Sequence, residues 1–267
     1  MNLRQSALQT LTISDSTAKC VATQALIIES DSNDYSLPLL EPKSALPGRS
    51  EKPELVYATQ VKFRSMATAE GRAALIHALA HIELNAVNIA LDAIWRFADM
   101  PSRYYSDWLS VAKDEARHFS LLQNHLNSLG FQYGDFTAHN GLWDMVENTK
   151  LDVLARMALV PRTLEARGLD ASPQVRNKLR SAGDKKGADI VTIILNDEIG
   201  HVAIGNVWYN WLCEQRGLEP IATYADLATK HKAPKLIGPF NINARRIAGF
   251  SEAEIKILQS INSAEVE

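Results

Sequence analysis

Two short stretches decide how this sequence is interpreted, DEARH at residues 114–118 and DEIGH at residues 197–201. Each contains the pattern Glu-x-x-His. Residues three apart lie on one face of a helix, so the carboxylate and the imidazole of each stretch can reach the same metal ion. The composition predicts only about 0.4 matches to this pattern by chance. Two matches, each preceded by Asp, therefore favour a metal site carried on helices.

The apolar periodicity around both stretches predicts long helices. One is expected from about 68 to 98, ended by Met100-Pro101, and a second from about 106 to 129, ended by Gly130. The last of four long helices is expected to run to about residue 216 and to end at Gly217. Few stretches show the alternation typical of strands, so the predicted fold class is all-α.

The third long helix is expected from about 142 to 166, with Pro161 kinking or bulging it and freeing the carbonyl of Met157. Gly168, Asp170 and Pro173 indicate its end. Ser172-Pro173 then predicts the start of a short separate helix that breaks near Gly183.

The remaining segments divide the chain into three parts. Residues 1–65 read as an irregular extension wrapping the bundle, with a modest helical pattern from Ser16 to Ile28 and loop-forming residues at 30–34. Residues 66–217 carry the four long helices. Residues 218–267 are expected to form a C-terminal helical extension of the same domain, with helices near 224–230 and 251–261.

The first and third long helices each add a glutamate to the pattern. Glu83 precedes Glu115 by 32 residues, and Glu165 precedes Glu198 by 33. Each half of the chain thus carries Glu followed by Glu-x-x-His, the arrangement of dimetal carboxylate bundles. The predicted metal ligands are Glu83, Glu115, His118, Glu165, Glu198 and His201.

Electrostatics explains why these residue types belong together. Four carboxylates in a core are very costly unless they are protonated or neutralised, and two divalent cations neutralise them. Carboxylate and imidazole ligands suit iron or manganese, and the sequence does not separate the two. Asp114 and Asp197 are either exposed charges or partners that orient a ligand histidine. Arg162, one turn before Glu165, is a candidate partner for it.

Composition excludes several other classes of protein. Apolar residues make up 46% and charged residues 22%, which is unlike a disordered chain. The net charge of −3 argues against a generally basic nucleic-acid-binding surface. Cys20 and Cys213 are too few and too far apart for a disulfide scaffold or a thiolate zinc site. With neither a signal peptide nor a membrane-spanning stretch recognised, a cytoplasmic protein is expected.

Six stretches carry a resemblance to a known family: GRAALIHALAHIELNAVNIALD (71–92), FADMPSRYYSDWLSVAKDEARHFSLL (97–122), LGFQYGDFTAHNGLWD (129–144), LEARGLD (164–170), LNDEIGHVAIGN (195–206) and PFNINARRIAGF (239–250). Through them the chain resembles the ferritin-like superfamily, and more closely a bacterial family of uncharacterised ferritin-like proteins. Its metal-site pattern is similar, more distantly, to that of the MiaE-type tRNA hydroxylases. The resemblance implies a ferritin-like four-helix bundle with a long crossover, holding two iron ions on the six residues named above.

Three functions are compatible with such a site. The first is an O₂- or peroxide-activating oxidoreductase of unknown substrate, with a modified tRNA base as one substrate that the resemblance raises. The sequence has no recognisable flavin or nicotinamide fingerprint, so an external electron-donor protein is expected. The second is an iron-handling ferroxidase or storage protein, and the third is a helical binding protein with a structural dimetal site.

Overall fold

The structure is a computed structural model of the chain, and it describes residues 2–28, 35, 36, 38 and 41–264. Apart from one isolated bridge between Leu55 and Ala138, every regular element in these ranges is a helix, which confirms the all-α class. The chain forms two compact units. One comprises Met1–Trp143 with Ser181–Ile190, and the other comprises Asp144–Arg180 with Val191–Glu267.

The first unit is built on two long helices, α3 (Ala69–Arg96) and α4 (Ser102–Ser128), preceded by two short ones, α1 (Leu3–Leu11) and α2 (Ser16–Ala25). The side-chain oxygen of Thr68 accepts the amide of Gly71 and caps the start of α3, while α4 ends before Gly130, whose φ is +84°. Both long helices therefore lie close to where the sequence predicts them.

The N-terminal extension is an integral part of the first unit. Helix α1 packs on α3, and α2 packs mainly on α4. The sequence predicts α2 but not α1, and the predicted loop at residues 30–34 lies outside the described residues. Among the described residues between this loop and α3, the regular features are a 3-10 turn at Ala58–Gln60 and the isolated bridge at Leu55.

The second unit contains the remaining helices. Helix α5 (Gly141–Asn148) starts at the end of the first unit, and α8 (Lys185–Arg216) passes from the first unit into the second. The others are α6 (Val153–Leu159), α7 (Ala166–Ser181), α9 (Pro220–Lys230), α10 (Ile242–Ile247) and α11 (Glu252–Ala264). Gly217, with φ at +62°, ends α8 as predicted. The helices predicted near 224–230 and 251–261 are α9 and α11, whereas α10 was not predicted.

A π-helical segment, Val160–Glu165, joins α6 to α7. It starts beside Pro161, whose ring nitrogen has no hydrogen to donate to the preceding turn. The hydroxyl of Thr163 donates to the carbonyl of Ala158 at 2.9 Å and contacts the hydroxyl of Tyr224 at 2.9 Å. The predicted bulge at Pro161 is thus confirmed.

The prediction for the third long helix is wrong in two respects. Its span is divided between separate helices, and its end is placed too early. Residues 142–166 are not one helix, because α5 ends at Asn148 and Asp152 caps a new start at α6. Conversely, α7 runs through Gly168 and Pro173 to Ser181. Pro173 cannot donate to the carbonyl of Leu169, and the side-chain amide of Asn241 donates there instead, at 3.2 Å. Tertiary contacts therefore override the local helix-ending signals.

The C-terminal helices cover α7 with an apolar core. Its buried members are Ala166, Leu169, Val202, Phe240, Ala244, Ala248, Phe250, Ile255 and Leu258. A bidentate ion pair between Arg245 and Asp170 fixes α10 to α7, with nitrogen-to-oxygen distances of 2.6 and 3.0 Å.

Two helices, α3 and α8, are long and apolar enough to cross a membrane by length and composition alone. In α3, 72% of the most apolar window is buried inside the protein, as it is in the core helices of globular domains. The apolar character of α3 is thus accounted for by its burial inside the protein.

Candidate metal centre

Three of the predicted ligands meet inside the first unit. Glu83 on α3 and Glu115 and His118 on α4 are 4%, 0% and 0% exposed. Nδ1 of His118 lies 3.1 Å from Oε2 of Glu83 and 3.2 Å from Oε2 of Glu115. One ligand atom from each residue lies within 4.8 Å of the other two, a spacing that could hold a metal ion.

The electrostatics of this group favour a cation. Burial raises the pKa of the Glu83 carboxyl to about 8, and the nearby charge of Glu115 adds to the effect. Burial by itself would lower the pKa of His118, but its hydrogen bonds to Glu115 and Glu83 outweigh burial and raise the pKa to about 11. In the absence of metal, bound protons therefore provide the positive charge that a divalent cation would provide when bound.

The second unit contains the other three predicted ligands. Glu198 and His201 lie one turn apart on α8, are 7% and 3% exposed, and bring Oε2 and Nδ1 to 3.8 Å. Glu165 is the last residue of the π-helical segment and is 9% exposed. A π-helical turn changes which side chains share a helix face, so the bulge at Pro161 sets the direction in which Glu165 points.

Two aspartates and one arginine are predicted as neighbours of the ligands. Asp114 is 37% exposed in its side chain and accepts a hydrogen bond from Arg117 at 3.3 Å, while Asp197 is half-buried. Arg162 is buried and forms an ion pair with Glu254 on α11.

Arg162 also lies over three aromatic rings. Its guanidinium carbon is 4.2 Å from the ring centre of Tyr209, 5.2 Å from that of Phe250 and 5.5 Å from that of Tyr224. Sequence reasoning missed Glu254 and these rings because they are distant along the chain and no spacing rule connects them to Arg162.

The fold and these contacts define a class: an all-helical protein with buried glutamate and histidine groups that could hold a metal ion. The chain belongs to the family described as "Protein of unknown function (DUF455)", which matches residues 12–256. It is 47% identical over 225 residues to a protein of Haemophilus influenzae called "Uncharacterized protein", covering 82% of this chain and 78% of that one. No solved structure matches the chain.

Proposed function

We propose that this chain is a ferritin-like di-iron protein and an O₂- or peroxide-activating oxidoreductase. Each half of the ligand set would hold one ion through its Glu-x-x-His pair and its added glutamate. The observation that carries the proposal is the group of Glu83, Glu115 and His118, which is fully enclosed and has its ligand atoms within 4.8 Å. The ferritin-like architecture rests on the order and near-equal spacing of the ligand-bearing segments.

Burial of this group without metal is energetically unfavourable. Two carboxylates and an imidazole at 0–4% exposure lose their hydration, and either bound protons or a metal cation must compensate for the carboxylate charge. A structural role as an ordinary ion pair would place one carboxylate opposite one base, whereas here two carboxylates converge on the same ring nitrogen. A divalent cation with oxygen and nitrogen ligands fits this donor set, iron first and manganese second.

The chain itself would bind, orient and exclude water. Reduced iron, when bound, supplies the activation of O₂ or peroxide for hydroxylation, desaturation or oxidation of a substrate. The buried α3 and α4 side chains keep bulk water away from Glu83 and Glu115. Electrons would come from a separate donor protein. Cytoplasmic location and the absence of a membrane partner are part of the same proposal.

Metal loading tests the proposal. After anaerobic loading with iron, and separately with manganese, elemental analysis is expected to give two ions per chain. Glu115→Ala and Glu198→Ala should each lower this number, and Glu214→Ala, an exposed glutamate on the same helix as Glu198, should not. No bound metal in the wild type, or equal loading of all three variants, would contradict the proposal.

Thermal unfolding gives a second measurement. Metal at 100 times its dissociation constant stabilises the folded state by about 2.7 kcal/mol. For 267 residues the unfolding entropy is about 0.56 kcal/mol/K, which predicts a rise of about 5 °C in Tm.

Light scattering and O₂ consumption then separate the alternative functions. A large cage that oxidises iron favours storage, and a small assembly that binds metal but consumes no O₂ favours a structural site.

A further inference from the structure

A cavity of about 180 Å³ lies in the first unit, separate from the predicted metal ligands. The start of α2, the loop at residues 48–53 and the middle of α3 line it, together with Tyr133. Asn85 and Asn88, which face it from α3, are about 160° and 140° around the helix from Glu83. The cavity is thus on a different side of α3 from the metal-site glutamate.

A buried ammonium group forms part of the cavity wall. Lys19 is 1% exposed, and its Nζ donates to the carbonyl of Gly48 at 2.9 Å and to Oδ1 of Asn88 at 2.7 Å. Both acceptors are neutral, and none of the described carboxylates forms an ion pair with Lys19. An ammonium group has three N–H donors, so one remains for a ligand.

A second cation lines the same cavity. Arg49 is the next residue after Gly48, and its guanidinium donates to Oδ1 of Asn140 at 2.5 Å. Burial first, and then the charge of Arg49, lower the pKa of Lys19 to about 7. The carboxylate among the lining residues belongs to Glu51, which is exposed at the rim beside Lys52. The interior is therefore positive and attracts an anion.

Asn85 contributes an unused acceptor. It is 2% exposed, and its Nδ2 donates to the backbone carbonyl of His81 at 2.8 Å, which fixes the orientation of the amide. Its Oδ1 has no hydrogen-bond partner among the described residues. Leaving such a buried acceptor unmatched is unfavourable, so a hydroxyl or N–H donor at this point stabilises the site.

We propose that this cavity binds a small oxyanion that also carries a hydrogen-bond donor. A carboxylate or phosphate group accepts from the third N–H of Lys19 and faces Arg49, and a hydroxyl donates to Oδ1 of Asn85. The volume exceeds the roughly 30 Å³ of a single water several-fold, which leaves room for a phosphate or a small hydroxy acid. The site does not depend on the presence of metal.

Calorimetric titration of the full chain tests this assignment. The probes are inorganic phosphate and L-malate at pH 6.5, below the lowered pKa of Lys19, in a chloride buffer. At least one probe should bind saturably at one site per chain, and the identity of that probe distinguishes a phosphate ligand from a carboxylate ligand. Lys19→Met should weaken binding at least tenfold, and Lys43→Met, an exposed lysine in the same extension, should leave it unchanged.

Arg49→Gln is the second variant in case Lys19→Met does not fold, as judged by far-ultraviolet circular dichroism, and it should also weaken binding. Absence of saturable binding of both probes to the wild type overturns the assignment. Equal affinities of the wild type, the folded cavity variants and Lys43→Met would also overturn it, because they would place the anion elsewhere on the surface.

Discussion

Replacing Gly205 by Ala tests how tightly α8 packs against the π-helical segment. A Cβ added at Gly205 would lie 2.5 Å from Cβ and 2.7 Å from Cγ of Pro161, closer than real Cβ contacts come. The proline ring cannot rotate away, so α8 or the π-helical segment must move. Because Glu165 ends that segment, such a movement would also reach a proposed metal ligand.

Gly200 provides the matched control on the same helix. A Cβ there meets nothing within 4 Å. Gly200→Ala should stabilise the protein by about 1 kcal/mol through helix propensity alone. Gly205→Ala gains the same amount but incurs about 1–3 kcal/mol of overpacking. The two variants should therefore differ by about 1–3 kcal/mol in free energy of unfolding.

Urea unfolding followed by circular dichroism measures this difference. Gly205→Ala should have a lower midpoint than Gly200→Ala, with similar dependence on urea concentration. If both substitutions raise the free energy of unfolding by the same amount, then Pro161 does not pack on Gly205. In that case α8 would not constrain the π-helical segment at Pro161.

Three further predictions concern other contacts. Asp170→Ala leaves the buried guanidinium of Arg245 without its carboxylate and should cost about 3–5 kcal/mol in urea unfolding, with Arg245→Met in the same background restoring part of the loss. Gly48→Ala brings a Cβ to 2.1 Å from the backbone oxygen of Thr12 and should lower Tm by several degrees. Folding lowers the pKa of Lys19 from 10.5 to about 7. Between pH 7 and pH 10.5 the unfolded chain therefore binds more protons than the folded chain, and the contribution of Lys19 to stability rises with pH across that range. In anion-free buffer, wild type should gain on the order of 2–3 kcal/mol over Lys19→Met between pH 7 and pH 9.5.

Each of these has a contrary outcome. A loss below 1 kcal/mol in Asp170→Ala would mean that Arg245 reaches solvent or another acceptor. Wild-type stability in Gly48→Ala would show that the loop does not approach the turn after α1. A pH-independent difference between wild type and Lys19→Met would mean that the ammonium group is not desolvated.

The sequence predicts those features whose causes are local. Helices α3 and α4 follow from apolar periodicity and from end signals at Met100-Pro101 and Gly130. The bulge at Pro161 follows from a missing amide hydrogen. The pairing of Glu115 with His118 follows from helical spacing, and the structure shows both residues buried together.

Features that depend on distant partners could not be predicted. Helix α7 passes Gly168 and Pro173 because Asn241, about 70 residues later, supplies a donor to the carbonyl of Leu169. The cavity beside Lys19 exists because residues 48–53 return to α3 after a long irregular stretch. No local pattern marks Lys19 as a buried residue, since lysine at that position is equally compatible with solvent.

The place of α1 has a consequence for biosynthesis. The side chain of Arg4, 4% exposed, donates to the carbonyl of Trp95 at the end of α3, a partner 91 residues further along the chain. At roughly 5–20 residues per second, the ribosome delivers that partner about 5–18 seconds later. A nine-residue helix is marginal by itself in water. Helix α1 is synthesised before α3, and it must therefore wait for α3 before this contact can form.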